Sequence, residues 1–178
     1  KKPGDEVEES RVEKIFRLAH ASVGQFEKLV GEIPYEQVKV ADEIIAYARE
    51  TLNKKLSRNI YITLTDHLNF AVERQKQGIE LRNALLWEIE KFYDREFQIG
   101  CKAVEIIRER LGVQLTRDEA GFIALHIVNA EMDIGDMSQV MEMPGIIKDI
   151  VNIVKYTFGI EVDENTLSYE RFITHLKI

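Results

Sequence analysis

An internal repeat constrains the fold of this 178-residue chain more than any other feature of its sequence. A motif built on Tyr61 and His67 recurs 108 positions later at Tyr169 and His175. Apolar positions recur at this offset or one residue further, in the pairs Leu64 and Phe172, Leu68 and Leu176, Ile44 and Ile153, Ile45 and Val154, and Tyr47 and Tyr156. One inserted or deleted residue reconciles the two offsets. A repeat this long indicates a duplicated domain, not a solenoid.

The repeat divides the chain into four parts. Residues 22–132 hold a complete first unit, residues 133–141 form a linker, and residues 142–178 hold the beginning of a second unit. Residues 1–21 precede both units. The second unit lacks the helices that would follow its histidine, so we expect this chain to be a fragment of a longer protein. We also expect its incomplete second unit to be mobile or to pack against another chain.

Helical periodicity dominates the sequence from residue 22 onward. Apolar residues recur every fourth position between Val40 and Leu52 and give that segment one apolar face. Gly78 and Gly112 are placed to end helices, and we predict a break near residues 94–96. The fold class predicted is all-α: a helical bundle, preceded by a short extended arm and followed by an incomplete second helical module.

Three local signals refine this prediction. Residues 11–18 alternate apolar and polar side chains, which indicates a short strand or extended arm, and residues 22–33 predict a short first helix. Thr116 and Glu119 have the T-x-x-E spacing of a capping box. In that motif the threonine hydroxyl accepts a hydrogen bond from a helix N–H group, and the glutamate reaches back to the amide of the threonine. We therefore predict a helix that starts after Thr116.

Composition excludes several classes of protein. The formal net charge of −7 argues against a broad nucleic-acid surface, because such a surface needs clustered cations. No apolar run approaches the roughly 18 residues of a membrane-spanning helix, so we expect no membrane insertion. The single cysteine, Cys101, excludes an internal disulfide and is typical of a protein from a reducing cytoplasm. Its place on an amphipathic helix favours a packing role over a nucleophilic one.

Two histidines stand on largely apolar helix faces beside a residue that can form hydrogen bonds. His67 follows Asp66, and His126 precedes Asn129 by three positions. The setting of both histidines is also typical of inert core residues, while the setting of His20 is typical of a loop residue. A metal site at His67, His126 and Asp66 is a further interpretation, but neither a His-x-x-x-His nor a Glu-x-x-His pair is present. We assign no metal ligand.

Catalytic signatures are missing from the sequence. The chain has no nucleophile elbow, no phosphate-binding P-loop and no G-x-G-x-x-G motif, so we predict no enzyme activity, no catalytic residue and no cofactor. Phosphorylation of imidazole remains open. A neutral imidazole has a lone pair that can attack an activated phosphoryl group. The product carries close to two negative charges, which can remake a packed contact. This hypothesis needs partly exposed histidines that recur once per module.

Three segments of the sequence resemble a known regulatory domain. They are "LTDHLNFAVERQKQG", "NALLWEIEKFYDREFQIG" and "DEAGFIALHIVNAEM", and they are similar to the phosphotransferase-system regulation domain (PRD) of bacterial transcriptional antiterminators of the BglG/SacY/LicT family. The D-H-x-N-F-A and G-F-I-A-L-H-x-x-N-A blocks stand in family order, with their histidines 59 positions apart. "RFITHLK" resembles the first histidine block of a second PRD. "KKPGDEVEESRVEKIF" resembles the tail of the RNA-binding domain that precedes the first.

The resemblance implies a regulatory homodimer, not an enzyme. In the family, the carrier HPr and sugar-specific enzyme II proteins phosphorylate PRD histidines, which correspond here to His67, His126 and His175. We expect Asp66 and Asn129 to orient the imidazoles. RNA hairpin binding belongs to the N-terminal domain, which is largely absent from this chain, and the expected location is the cytoplasm. The alternative is a constitutive helical dimerisation module with structural histidines.

Overall fold

A computed structural model describes residues 33–177 together with residues 8, 10, 12 and 31. Within this part the chain forms seven helices and no strand, which confirms the predicted all-α class there. The helices are α1 (Tyr35–Leu52), α2 (Ile60–Lys76), α3 (Leu86–Phe92), α4 (Asp94–Leu111), α5 (Arg117–Met132), α6 (Met137–Phe158) and α7 (Leu167–Leu176). His20, nearly all of the arm predicted at 11–18 and most of the helix predicted at 22–33 lie outside the described residues.

Several helix ends lie where the sequence predicts them. Gly112 follows α4 with a φ of 68°, and its N–H group donates to the carbonyl oxygen of Arg108 at 3.0 Å. Gly78 follows α2 with a φ of 71°. Glycine adopts this left-handed conformation without a Cβ clash, so both glycines terminate their helices. The break predicted near 94–96 falls at Tyr93, between α3 and α4.

The first unit packs α1, α2, α4 and α5 around one apolar core. Its most deeply buried large side chains include Ile44, Ile45, Leu64, Leu68, Ile107, Ile123 and Ile127. Helices α4 and α5 approach closely at Gly100, where an added Cβ would lie 2.1 Å from the carbonyl oxygen of Ala120. This close approach fixes the position of α5, which carries His126. No helix among residues 33–177 is both long enough and apolar enough to cross a membrane.

The second unit packs partly on the first unit of the same chain. Val140 and Ile147 of α6 and Ile173 of α7 are buried in one cluster with Phe92 and Phe97. We expected these helices to be mobile or to cover another chain, so this intramolecular packing is a correction. The partners of α6 and α7 are the outer faces of α3, α4 and α5, which the repeat could not reveal.

The remaining part of the second unit keeps exposed apolar side chains. Ile153 is 63% exposed, whereas Ile44, its counterpart in the repeat, is 0% exposed. Tyr156, on the same helix as Ile153, is 77% exposed. The connection to the first unit spans residues 133–136, shorter than the predicted 133–141. Helix α6 starts early because the carboxylate of Asp136 caps it, accepting a hydrogen bond from the N–H group of Ser138 at 2.9 Å.

Candidate functional site

The two histidines of the first unit face each other across the contact between α2 and α5. The ring centroids of His67 and His126 are 4.8 Å apart, with an angle of 42° between the ring planes. The ring of Phe122, one turn before His126 on α5, lies 6.0 Å from that of His67. Packing of α2 against α5 thus brings two motifs that are 59 positions apart in sequence into one site.

A buried carboxylate and an arginine complete this site. Oε2 of Glu119 lies 3.1 Å from Nε2 of His67, and Oε1 of Glu119 accepts a hydrogen bond from Nη2 of Arg74 at 2.7 Å. This contact with His67 is not an aligned hydrogen bond, since neither Nε2 nor Oε2 has a hydrogen-bond partner among the described residues. One carboxylate therefore bridges the imidazole and the guanidinium.

Burial and neighbouring charge set the protonation states of this site. Burial raises the pKa of Glu119, but the interactions with His67 and Arg74 outweigh burial and hold the pKa of this carboxyl below its ordinary value. Burial lowers the pKa of His126 to about 3, and the neighbouring His67 adds to that effect. At neutral pH Glu119 is therefore charged and His126 is neutral.

The start of α5 corrects the predicted capping box. Thr116 is the N-cap residue with extended backbone angles (φ −84°, ψ 169°), so the predicted helix start is confirmed. The threonine side chain makes no capping hydrogen bond, however, and its buried Oγ1 has no hydrogen-bond partner within the described part of the chain. Glu119 is directed across to α2 instead, because His67 and Arg74 bind its carboxylate there.

Sequence reasoning missed the roles of Glu119 and Arg74. Arg74 follows His67 by seven residues, and Glu119 precedes His126 by seven residues. Seven residues are close to two helical turns, so each charged residue lies on the same face as its histidine. That spacing was the available signal, but it became informative only once α2 was known to pack against α5.

The residues predicted to orient the imidazoles occupy other positions. Asp66 is half-buried, and within residues 33–177 no hydrogen bond joins it to either ring. Asn129 is buried, and its Oδ1 has no hydrogen-bond partner among residues 33–177. With Thr63 of α2, His126 and Asn129 line a small cavity of about 10 Å³. The carboxylate that contacts His67 belongs to Glu119 and not to Asp66. The orienting roles of Asp66 and Asn129 stay predictions.

A comparison with known protein families identifies this arrangement. The family described as "PRD domain" matches residues 42–130, which is half of the chain. This chain belongs to the PRD family. Both facing histidines lie inside the matched range, and so do Arg74 and Glu119. Within the described residues of this PRD chain, no group of three or more His, Cys, Asp or Glu side chains is placed to hold a metal ion.

Similar proteins carry names from transcription antitermination. The PRD chain is 48% identical to "Transcription antiterminator LicT" of Bacillus subtilis (strain 168), over 99% of this chain and 64% of that protein. It is 47% identical to "Beta-glucoside operon antiterminator" of Dickeya chrysanthemi, over 99% of this chain and 62% of that protein. The chain thus spans less than two thirds of the length of these relatives.

A solved structure shares the PRD fold. "Crystal structure of GlcT CAT-PRDI" superposes with a TM-score of 0.61 and 35% sequence identity, over 64% of this chain and 67% of that one. His175 lies outside the residues matched by the PRD family. It stands near the end of α7 with an exposed side chain, whereas the side chain of His67 is 14% exposed and His126 is 9% exposed. Phosphorylation was expected to need partly exposed rings, and His126 does not meet that condition in this structure.

Proposed function

We propose that this chain is the regulatory part of a sugar-responsive transcriptional antiterminator whose histidines accept phosphoryl groups. The proposed acceptors are His67, His126 and His175. The observation that carries the proposal is the facing pair of His67 and His126, with Glu119 and Arg74 beside it, in a PRD. The antiterminator names of similar proteins support the same function.

The proposed reaction is transfer of a phosphoryl group from a donor protein to an imidazole of this chain. HPr or a sugar-specific enzyme II presents the phosphoryl group, and a ring nitrogen of the acceptor histidine attacks phosphorus. The new N–P bond forms as the bond between phosphorus and the donor atom breaks, the donor atom keeps the electron pair, and the acceptor ring loses a proton to solvent. The carboxylate of Glu119 stabilises the positive charge that develops on the ring of His67 during attack.

The charge of the added phosphoryl group drives the proposed rearrangement of the contact between α2 and α5. A phosphoryl group carries about −1.5 to −2 charges at pH 7. Two unit charges 4 Å apart interact by about 4 kcal/mol at an effective dielectric constant of about 20. A phosphorylated His67 would face the negative charge of Glu119 inside the contact between α2 and α5. Repulsion of this size is large compared with a typical packing contact, so the contact rearranges.

The rearrangement is proposed to act on a homodimer in the cytoplasm. A two-fold contact places each new charge near its copy, which doubles the effect of one modification. The dimer state would then control RNA hairpin binding by the N-terminal domain of the parent protein. The burial of His126 favours one competing function, a constitutive dimerisation module. A buried neutral histidine is also typical of an inert core residue.

Charge substitutions separate the two functions. His67→Asp adds a negative charge beside Glu119, while His67→Gln removes the ring without adding charge. For the switch, sedimentation of this chain should show a changed monomer–dimer balance for His67→Asp and not for His67→Gln. An unchanged balance in both variants, with lower stability alone, favours the constitutive module.

A further inference from the structure

Two polar atoms near Glu119 have no hydrogen-bond partner among the residues that the structure describes. They are Nε of Arg74 and Oγ1 of Thr116, and both are buried. Buried donors and acceptors are almost always paired, because an unpaired group loses its hydration without compensation. Arg74 on α2 binds the carboxylate of Glu119, and Thr116 is the N-cap residue of α5, three positions before Glu119. This pattern indicates a second arrangement of the same side chains.

Arg74 has unused capacity to bind an anion next to His67. Its guanidinium donates from Nη2 to Glu119, while Nε–H has no acceptor in the described part of the chain. A planar guanidinium can donate two parallel hydrogen bonds to a phosphoryl group, a geometry that suits phosphate as well as carboxylate. A phosphoryl group on His67 would carry more negative charge than the single carboxylate of Glu119. Arg74 would therefore bind it in preference to Glu119.

The carboxylate of Glu119 has a second possible binding position, at the start of α5. It is the third residue of α5, and Thr116 already has the extended backbone of an N-cap residue. A glutamate at this position can bind the backbone amide of the cap residue, while the threonine hydroxyl accepts from the amide of the glutamate. The T-x-x-E signature of the sequence thus describes an arrangement that the unmodified chain does not adopt, because His67 and Arg74 hold the carboxylate.

We propose that Arg74 binds the phosphoryl group of phosphorylated His67 in place of Glu119, and that the released Glu119 completes the capping box with Thr116. Arg74 is then a positioning residue, and the start of α5 reports the modification of α2. The inference rests on the proposed function in one respect, the phosphorylation of His67. It adds where the phosphoryl group binds and how α5 responds.

The first test labels the chain with potassium phosphoramidate, a small donor that needs no partner protein. An imidazole nitrogen attacks phosphorus, the N–P bond to ammonia breaks, and ammonia leaves with the ring proton. The ³¹P resonance of phosphorylated His67 is assigned by its loss in His67→Gln, and its pH titration is followed. A guanidinium bound to the phosphoryl group lowers the pKa of that group. Arg74→Gln should raise this pKa by about 1 unit, within the range for a lost charge partner, and Arg74→Lys should restore part of the difference.

Arg110→Gln is the matched control for Arg74→Gln. Arg110 also pairs with a glutamate on another helix, Glu43, but the pair is exposed and belongs to another part of the surface. The titration should not change in this variant. An identical titration in the unsubstituted chain and Arg74→Gln would overturn the inference while leaving phosphorylation intact. Absence of any resonance that His67→Gln removes would instead contradict the proposed function itself, and with it this inference.

The second test compares Thr116→Ala with Thr116→Ser in unmodified and phosphorylated chains. The hydroxyl of Thr116 has no partner among the described residues of the unmodified chain, so Thr116→Ala should leave the melting temperature of that chain nearly unchanged. In the phosphorylated chain the same change should lower the melting temperature by about 2–4 °C, as loss of a helix cap does in a chain of this size. Thr116→Ser should behave as the unsubstituted chain. Equal effects of Thr116→Ala in both states would overturn the proposed move of Glu119.

Discussion

The carboxylate of Glu119 lies 3.1 Å from Nε2 of His67, although the two residues are 52 positions apart in sequence. This contact joins the two histidine motifs of the PRD through a charge that lies seven residues before His126. The same carboxylate binds Arg74. The site is thus an electrostatic unit formed by α2 and α5, and its parts should respond together when one of them changes.

Removing the charge of Glu119 should destabilise the chain. Glu119→Gln leaves Arg74 without its anionic partner, and a charged group that loses its hydrogen-bond partner costs about 1–3 kcal/mol. We expect the free energy of unfolding, measured by urea titration, to fall by that amount. Glu43→Gln, which removes the exposed pair with Arg110, should change it by less than about 1 kcal/mol. Equal losses in the two variants would contradict a special role for Glu119.

Acidification should destabilise the chain through His126. Its pKa in the folded chain, about 3, lies below the ordinary value of 6.5, so between these pH values the unfolded chain binds more protons than the folded chain. The free energy of unfolding therefore rises with pH in this window and is lost as pH falls from 6.5 toward 3. The lowered pKa of Glu119 has the same sign but acts below its ordinary value of 4.5.

His126→Gln separates these contributions. Between pH 4.5 and 6.5 the stability of this variant should depend less on pH than that of the unsubstituted chain, since the buried titrating ring is gone. Urea titrations at several pH values give the comparison. Parallel curves for His126→Gln and the unsubstituted chain would show that His126 is not held neutral by burial.

A methyl group at Gly100 should disrupt the packing that positions α5. Its Cβ would meet the carbonyl oxygen of Ala120 at 2.1 Å, so α4 and α5 would have to separate. We expect Gly100→Ala to destabilise the chain by about 1–3 kcal/mol, the usual cost of overpacking. Gly145→Ala, also within a helix, meets its nearest neighbour at 3.8 Å and should be neutral or stabilising by up to about 1 kcal/mol. Thermal unfolding of both variants tests this prediction. A Gly100→Ala chain as stable as the unsubstituted chain would contradict the close approach of α4 and α5.

The packing of α6 on the first unit can be tested with two isoleucines of the same helix. Ile147 is 2% exposed and Ile153 is 63% exposed. Ile147→Ala should cost about 2–5 kcal/mol, as cavity-forming changes do, whereas Ile153→Ala should change stability by less than about 0.5 kcal/mol. Similar small effects of both changes in urea titrations would show that α6 does not pack on the first unit in solution.

The sequence predicts the helices and their ends better than it predicts the side-chain contacts within the site. Left-handed glycines such as Gly78 and Gly112 are local signals, so the ends of α2 and α4 follow from the sequence alone. His67 and His126 are also visible as unusual residues on apolar faces. The local spacing of Thr116 and Glu119 predicts a capping role for Glu119, and only the packing of α2 against α5 reveals the partners of its carboxylate.

The second unit shows a different limit of the repeat. Ile44 and Ile153 are equivalent in sequence, but one is buried and the other exposed. The repeat assigns a position to each residue within its own unit, and it carries no information about contacts between units. Burial of Val140 and Ile147 against the first unit depends on surfaces of α3, α4 and α5 that have no counterpart in the second unit of this chain.

Mapping of phosphate on the histidines tests the central claim most directly. The chain is incubated with phosphoenolpyruvate, enzyme I, HPr and the cognate sugar-specific enzyme II, and acid-labile phosphate is located by mass spectrometry. We predict phosphate on His67 or His126 that disappears in the corresponding His→Gln variant. Phosphate on neither residue, while HPr itself becomes fully phosphorylated, would contradict the account.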